Sequence, residues 1–539
     1  MKRQNLALRR SVVSLGLAAV AVAAGGCINT FWRTEARALR PAAADSVTLV
    51  RSPVKAHLAD GSTVVFRHGA SISGRRISGA GEAYALLGDM PTPRSSVPVD
   101  SVVGLETFEG KVLQAQTIAV STAATIAGAA ATVGLLKALF GSCPTVYADT
   151  GTGPVLEAEG FSYSIAPLLE HRDIDPLRAK PDADGTLRLD LRNEALETHY
   201  LNHIELASIR HAAGTRAVPD QSGRPVVVQS LRAPTTATDR AGRDILQTVA
   251  RADGELFSSA ASTVDAAMPG DLDDWIDLEA SDLPAGDSVA VVLRLRNSLL
   301  NTVLLYDAIL GGRDAPDWLA DGLEHIATAV DLSTWYVRTM GMRASVAGID
   351  ATAGQAGAGT ARLGDVGPLA FRDVAILLPR PERDARTVRI RLRFVADNWR
   401  IDQIAVAGSV TRPAVSTVAL SDVVVPTPQS GVGPSRDAAA LAALSETDDR
   451  YLETRPGQRM TLEFRTQPPA PVAGDSTTTY MIVWQGWYRE WIRGNWLSQP
   501  TRTTPLVLGD STVYEALRRW RGKQAEFERA FYASRVPVR

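Results

Sequence analysis

The sequence predicts a mainly β protein built from tandem or interleaved β-sandwich units of jelly-roll-like kind. A small β-barrel-like module and one Ala/Gly-rich helix precede them, and a C-terminal helix closes the chain. Three observations carry this expectation. The 539 residues exceed one domain several-fold and suit about three or four folded units. Runs that alternate apolar and charged residues recur at roughly 100-residue intervals, at 187–193, 292–297 and 390–394; each is followed within about ten residues by a second strand-like run, at 203–209, 303–309 and 401–406. A looser pair repeats the idea at 460–464 and 479–485. Finally, Asp60-Gly61 stands between the β-branched runs 54–58 and 63–67, a strong signal for a type I′ hairpin.

The amino terminus carries an address. Lys2, Arg3, Arg9 and Arg10 form a basic region ahead of the apolar run 11–24, which is too short to span a bilayer comfortably and has the form of a signal peptide over residues 1–26. It ends in Ala24-Gly25-Gly26-Cys27. This resembles the lipobox of bacterial lipoproteins, with Ala24 where Leu is commoner. The resemblance implies cleavage before Cys27 and lipid on its thiol. A single acyl chain holds a protein only marginally, so the three chains of a mature lipoprotein imply stable anchoring. Ile28, rather than Asp, follows the cysteine, which by the family's sorting rule implies the outer membrane. Arg9-Arg10-Ser11-Val12-Val13 is also similar to a minimal twin-arginine signal, although without the full motif general secretion is favoured.

Residues 27–46 read as the lipidated cysteine and a tether, with Arg, Ala and Pro in no sustained period. Residues 47–110 read as the small β-module: strands at 47–51, 54–58 and 63–67, closed by 97–108. The Ser52-x-x-Lys55 spacing matches one element of penicillin-interacting serine enzymes, but no Lys-Thr-Gly accompanies it, so it reads as chance. Within 112–140, residues 117–136 carry no charge and are long enough to span hydrocarbon as a helix, yet they are rich in Ala and Thr, which contribute little to insertion. Ala124 with Gly128 and Ala130 with Gly134 permit close helix approach. A membrane-inserted or oligomerising helix and a buried or surface-docked helix both fit.

The β-region is divided into a sandwich over 144–310, a second over 311–425 and a β region with an aromatic cluster over 426–509, followed by a C-terminal helix in 510–539. The order of strand-like runs at 371–379, 388–394 and 398–406 resembles the later strands of galactose-binding-like jelly rolls, which implies that a sugar or glycan would sit at the loops of one end. Cys143-Pro144-Thr145-Val146-Tyr147 is similar to a Cys-Pro-x-Val-Tyr start of the β-region in bacterial envelope lipoproteins of unknown function, and no activity follows from it. The tail at 511–533 reads as one helix with Asp510 or Ser511 as N-cap, and with Val513, Leu517, Trp520, Phe527 and Phe531 near one side.

Charge and motif content narrow the function classes. Lys and Arg total 57 against 59 Asp and Glu, a net of -2, so no overall field draws the chain to nucleic acid. Only Cys27 and Cys143 occur, so disulfides are not what stabilises it. No GxSxG, P-loop or dinucleotide fingerprint appears, which disfavours the common nucleophile and nucleotide classes. Paired carboxylates of a glycosidase leave no readable spacing, so hydrolysis stays open.

Candidate sites are few. His199 and His203, four apart on an apparent strand, would share a face and seat a metal, although no HExxH pattern joins them. Asp271, Asp273, Asp274 and Asp277 crowd together with Glu279 and Asp282 as calcium ligands might, or as a solvated acidic loop, and the EF-hand spacing is missing. Tyr480, Trp484, Trp487, Tyr488, Trp491 and Trp496 fall within seventeen residues; Trp484, Trp487, Tyr488 and Trp491 have the spacing of one helix face. That face would pack as core or present a ligand platform. The expectation is a lipid-anchored binding or scaffolding protein of the cell envelope, with an envelope protein or glycan as partner. The alternative is a glycan-active hydrolase. Covalent lipid on Cys27 is the one attached group expected, with calcium as a possible cofactor.

Overall fold

The structure is a computed structural model that describes residues 32–38, 47–112 (without 53, 59–61, 74 and 85–91), 144–309 (without 150 and 152), 326–347, 359–426, 434–466, 475–490 and 507–538. Cys27, the segment 117–136 and the Asp60-Gly61 turn lie outside the described residues. The protein is mainly β, in antiparallel sheets with few helices.

The small module curls as expected. The strands Val54–Leu58 and Thr63–Phe66 pair from Val54↔Phe66 to His57↔Thr63, and Val102–Val112 closes onto the first of them through Val54↔Thr107. Val54, Ala56, Val64, Phe66, Ile72, Ile77 and Val97 fill its interior, as period-2 alternation requires. The tether expectation is corrected in part, because Trp32–Ala38 is a strand, paired with Val102–Val112 from Trp32↔Val112 to Ala38↔Glu106. Charged residues alternate at 33, 35 and 37 in this segment, a strand period hidden by its Arg and Ala content.

The body is two interleaved sandwiches. In the first, one sheet runs Pro154–Glu159, Thr145–Asp149, Thr186–Arg192, Arg459–Arg465, Asp422–Val425 and Ser435–Arg436. The facing sheet runs His171–Pro176, Ser476–Glu490, Glu197–Ala212 and Val415–Ala419. Leu187, Leu189, Leu191 and Phe464 from one meet Leu201, Ile204, Ile482 and Trp484 from the other. The chain leaves this sandwich after Glu197–Ala212 and returns in Val415–Ala419, paired to it from Glu205↔Ala419 to Ile209↔Val415. Between these points lies the second sandwich. There Asp273–Ala280 pairs with Val388–Val395, facing Ser288–Asn297 flanked by Arg372–Pro379 and Trp399–Ala407. A three-stranded sheet of Arg216–Pro219, Pro225–Gln229 and Ser409–Thr411 covers one side.

Interleaving overturns the expected boundaries at 310/311 and 425/426. Strands on either side of 310 pair with each other, and residues 144–212 pair with 415–490. Local alternation reports that a segment is a strand; it does not report a partner roughly 275 residues away, such as Phe464 opposite Leu187. The expected strand at 303–309 is helical: Leu300–Thr302 and the π-turn Val303–Ile309 pack on the C-terminal helix. A short run that is apolar apart from Asp307 is ambiguous between buried helix and strand. Among the described residues the body also carries helices that were not anticipated, the longer ones being Ile326–Met340 and Ala438–Ser445; Asp437 caps the latter by accepting from the Ala439 and Ala440 N–H groups. The tail is two helices, Asp510–Trp520 and Gln524–Ser534, rather than one. Gly522 breaks them at φ +71, and the first is capped at Gly509 without a side-chain bond. Val513, Leu517, Trp520 and Phe531 are buried as expected.

Candidate functional site

Two open grooves lie on the outer faces of the sandwiches. The first, of about 600 Å³, crosses the strands Thr145–Asp149, Thr186–Arg192 and Arg459–Arg465, between Tyr147, Arg188, Asp190, Arg459 and Glu463. Apolar residues of these strands turn inward, so charged residues are left along the solvent face. Arg188 is bonded to Asp182, Asp184 (2.8 Å) and Glu463 (3.2 Å), and with the Thr186 N–H it holds the Asp184 carboxyl down at about 2. Arg192 bonds Asp190 and lies 4.1 Å above the Tyr147 ring.

The second groove, of about 550 Å³, lies over the strands Asp273–Ala280 and Val388–Val395. Of the four aspartates considered as calcium ligands, Asp277 lines it, together with Glu279. Asp273, Asp277 and Glu279 share the outer face, each bonded across the ladder: Asp277 to Arg391 (2.7 Å, twice), Glu279 to Arg389 (3.0 Å), and Asp273 to both Arg343 and Arg393. Asp271 is bonded to Arg240 through both oxygens. Asp274 points the other way, into the interior, where burial raises its pKa. Strand alternation therefore splits the four, and guanidinium groups occupy the outward ones. Trp275 stands between Arg240 and Arg391, 4.8 and 5.0 Å from its ring centre.

The histidine pair is also corrected. In the ladder between Glu197–Ala212 and Ser476–Glu490, His199 lies opposite Tyr488, whereas His203 lies opposite Gln485, with the register shifting between Leu201 and His203. Partners share a face and residues three apart on a strand do not, so this bulge turns the two histidines to opposite faces. His199 bonds Glu197 (2.8 Å) and Thr454; His203 pairs with Glu205 at 3.3 Å. Among the described residues no group of three or more His, Cys, Asp or Glu is arranged to hold a metal ion.

The aromatic cluster is a strand, not a helix face. Trp484, Trp487 and Tyr488 lie in Ser476–Glu490 and are buried, so they present no surface to a ligand; Trp491 lies outside the described residues. This strand belongs to a sheet covered on both sides, with Ile482 and Trp484 in one core and Met481 and Val483 in the other. Trp487 stacks on Tyr200 at 4.0 Å. Gly160 and Gly486 make room for the large rings: a Cβ on Gly160 would come within 2.7 Å of Trp484.

Sequence reasoning missed the buried charges. Where the sandwiches meet, the Arg372 guanidinium donates to Asp175 (2.6 Å), Asp173 (3.2 Å) and the Glu159 carbonyl (3.2 Å). Glu159 Oε2 accepts from the Leu369 and Ala370 N–H groups, while its buried Oε1 has no partner among the described residues. Burial pushes Glu159 up to about 7 and Asp175 up to about 6, against the lowering pull of those N–H groups and of Arg372 respectively. Asp365, held by Tyr336, Asn301, Ser162 and the Gly367 N–H, is likewise raised by burial. Elsewhere Lys55 of the small module is fully buried and reaches the Glu170 carbonyl (3.1 Å) and carboxylate (3.6 Å). Glu197 and Glu490, 0% and 3% exposed, are cross-strand partners, and the Tyr306 and Tyr488 hydroxyls meet beside Glu490 at 3.0 Å. No local pattern separates such residues from solvated ones.

No family model matches this chain, and no curated protein matches it. Among solved structures it is similar to a GH31 alpha-xylosidase from Xanthomonas citri, at 10% identity and a TM-score of 0.14, covering 83% of this chain and 38% of that one. The chain thus spans well under half of that protein's length, and at this TM-score the likeness supports no statement about fold or activity. Among the described residues no helix is long and apolar enough to cross a membrane.

Proposed function

We propose that the protein is a lipid-anchored binding or scaffolding protein of the cell envelope, held to the outer membrane through acylated Cys27. The observation that supports binding most directly is the make-up of the two grooves. Each is open, several hundred cubic ångströms in volume, and bordered by rows of guanidinium–carboxylate pairs whose partners are already bonded. Such rows offer planar donors and acceptors to an extended glycan or peptide. The Arg188 groove, with Tyr147 beside it, is the better candidate.

One observation favours a glycan hydrolase as a second reading. Glu197 and Glu490 are directly opposite across a ladder, which sets two carboxylates side by side on one face as a glycosidase requires. Their burial weighs against it. A single experiment separates the readings: full-length protein is applied to a glycan array and crosslinked in native envelopes, beside Arg188→Glu/Arg459→Glu and Glu197→Gln. Binding reduced about tenfold or more by the charge reversal and untouched by Glu197→Gln supports recognition. Release of reducing sugar that disappears in Glu197→Gln would replace it with hydrolysis.

A further inference from the structure

We propose that the outer face of the small module is a surface that rests on the phospholipid headgroup layer, an inference that builds on the reading of Cys27 as acylated. The strand Val47–Val50 pairs on one side, with Ala70–Ser73, and among the described residues its other edge is free. Val47 and Leu49 are 70% and 67% exposed. Register defines what surrounds them. Val47 is opposite Ser73 and Leu49 opposite Ser71; Ser71 is opposite Ser78, and Ser78 opposite Ser96. Ile72, Ile77 and Val97 alternate with these and fill the interior.

Four neighbouring strands therefore present one outer face of Val47, Leu49, Ser71, Ser73, Arg76, Ser78 and Ser96; past the register shift between Ser78 and Gly81 the exposed Arg94 lies at its end, and the carboxylate further along the strand, Glu82, is already paired with Arg67. Arg51 and Arg75 are exposed beside it, and Asp100 is the exposed acid that follows in the next turn. Arg51, Arg75, Arg76 and Arg94 make no ion pair among the described residues, unlike the arginines that border both grooves; the Arg76 guanidinium donates to the Ser96 hydroxyl, at 2.7 Å. Exposed aliphatic side chains beside unpaired guanidinium groups and hydroxyls match the interfacial layer of a bilayer, where acyl boundary and anionic phosphate adjoin.

Chain length keeps the module near the lipid, although Trp32–Ala38 and Val47–Val50 stand at opposite ends of its strand order. Four residues separate Cys27 from Trp32, where the module's first strand begins, so at full extension the module starts no more than about 18 Å from the lipid. A module held that close meets headgroups with some face, and this one is suited to them. The occupant is the bilayer surface rather than a second copy of this chain, because the face carries like charges that would oppose each other across a two-fold contact.

The test uses the mature chain, residues 27–539 with Cys27→Ser, which removes both acylation and the apolar run 11–24, sedimented with vesicles of phosphatidylethanolamine and phosphatidylglycerol or of phosphatidylcholine alone. The expected result is salt-sensitive binding to the anionic vesicles, lowered about tenfold or more by Val47→Asp/Leu49→Asp and by Arg76→Glu/Arg94→Glu, with circular dichroism unchanged. Equal sedimentation of the parent and both variants overturns the proposal, as does an effect of the variants on self-association alone by ultracentrifugation. Mass spectrometry of Cys27 in the unsubstituted protein tests anchoring separately, so a failed headgroup surface and a failed lipid anchor are told apart.

Discussion

Trp484 shows what a single side chain demands of its neighbours. Its indole donates to the buried Asp175 carboxylate at 3.1 Å and packs 5.1 Å from the Phe161 ring, and Gly160 is the space left for it. Phe161, next along, takes φ +64, a conformation uncommon for a bulky residue, while its N–H bonds Asp173 at 2.8 Å. Adding one methyl group at position 160 forces the indole or the strand to move. Gly160→Ala is therefore expected to destabilise by about 1–3 kcal/mol, read as a lower thermal midpoint, whereas Gly509→Ala, whose Cβ meets nothing within 4 Å, costs less, about the few tenths to 1 kcal/mol by which glycine is preferred to alanine at an N-cap. Equal midpoints for the two variants would remove the packing account. The concentration of tryptophan was visible in the sequence. Its direction was not, because spacing at three and four residues looks helical until a sheet buries both faces of a strand and every position becomes interior.

At the scale of an element, one bulge decides the chemistry of the longest ladder. The register shift between Leu201 and His203 separates the two histidines and turns Asn202 inward, where Nδ2 donates to Glu170 (3.1 Å) and Oδ1 accepts from the Asp448 N–H (3.0 Å). Glu170 in turn receives Gln485, Tyr451 and Lys55, so the bulge residue helps hold the buried ion pair that ties the small module to the body. Removing the amide leaves a buried carboxylate with one donor fewer. Asn202→Ala is expected to cost about 1.5–3 kcal/mol, seen as a shifted urea midpoint, and Asn202→Asp more, since it sets a second carboxylate against Glu170. A midpoint unchanged by both substitutions would mean that the bulge is only a spacer. Helices tell a similar story: Gly522 splits the tail because its φ of +71 suits glycine, although the apolar spacing runs straight across it.

For the whole molecule, the junction of the sandwiches makes stability depend on pH. Glu159, ordinarily near 4.5, is raised to about 7 when folded, so between those values the folded chain binds a proton that the unfolded chain does not. Its stabilising contribution is complete below about 4.5 and is lost as pH rises through about 7; Asp175, raised from 3.8 to about 6, acts in the same direction over a lower window. Asp365 and Arg372 are the charged groups nearest Glu159, with Arg296 and Arg535 further along the same interior. The thermal midpoint is expected to fall by a few degrees from pH 5 to pH 8, and Glu159→Gln, which mimics the protonated carboxyl, to flatten part of that slope. An identical slope in Glu159→Gln would assign the dependence elsewhere.

Alternation along 187–192, 390–394 and 460–464 determined by itself that this chain forms strands and which side of each is apolar, because the period of two is a local property of the backbone. Only the tertiary structure decided which strands meet. The insertion of one sandwich within the other, the opposed histidines, the aspartates matched to arginines, and the carboxylates buried around Arg372 all depend on partners up to about three hundred residues away, and the free energy of such a contact is carried by neither residue alone.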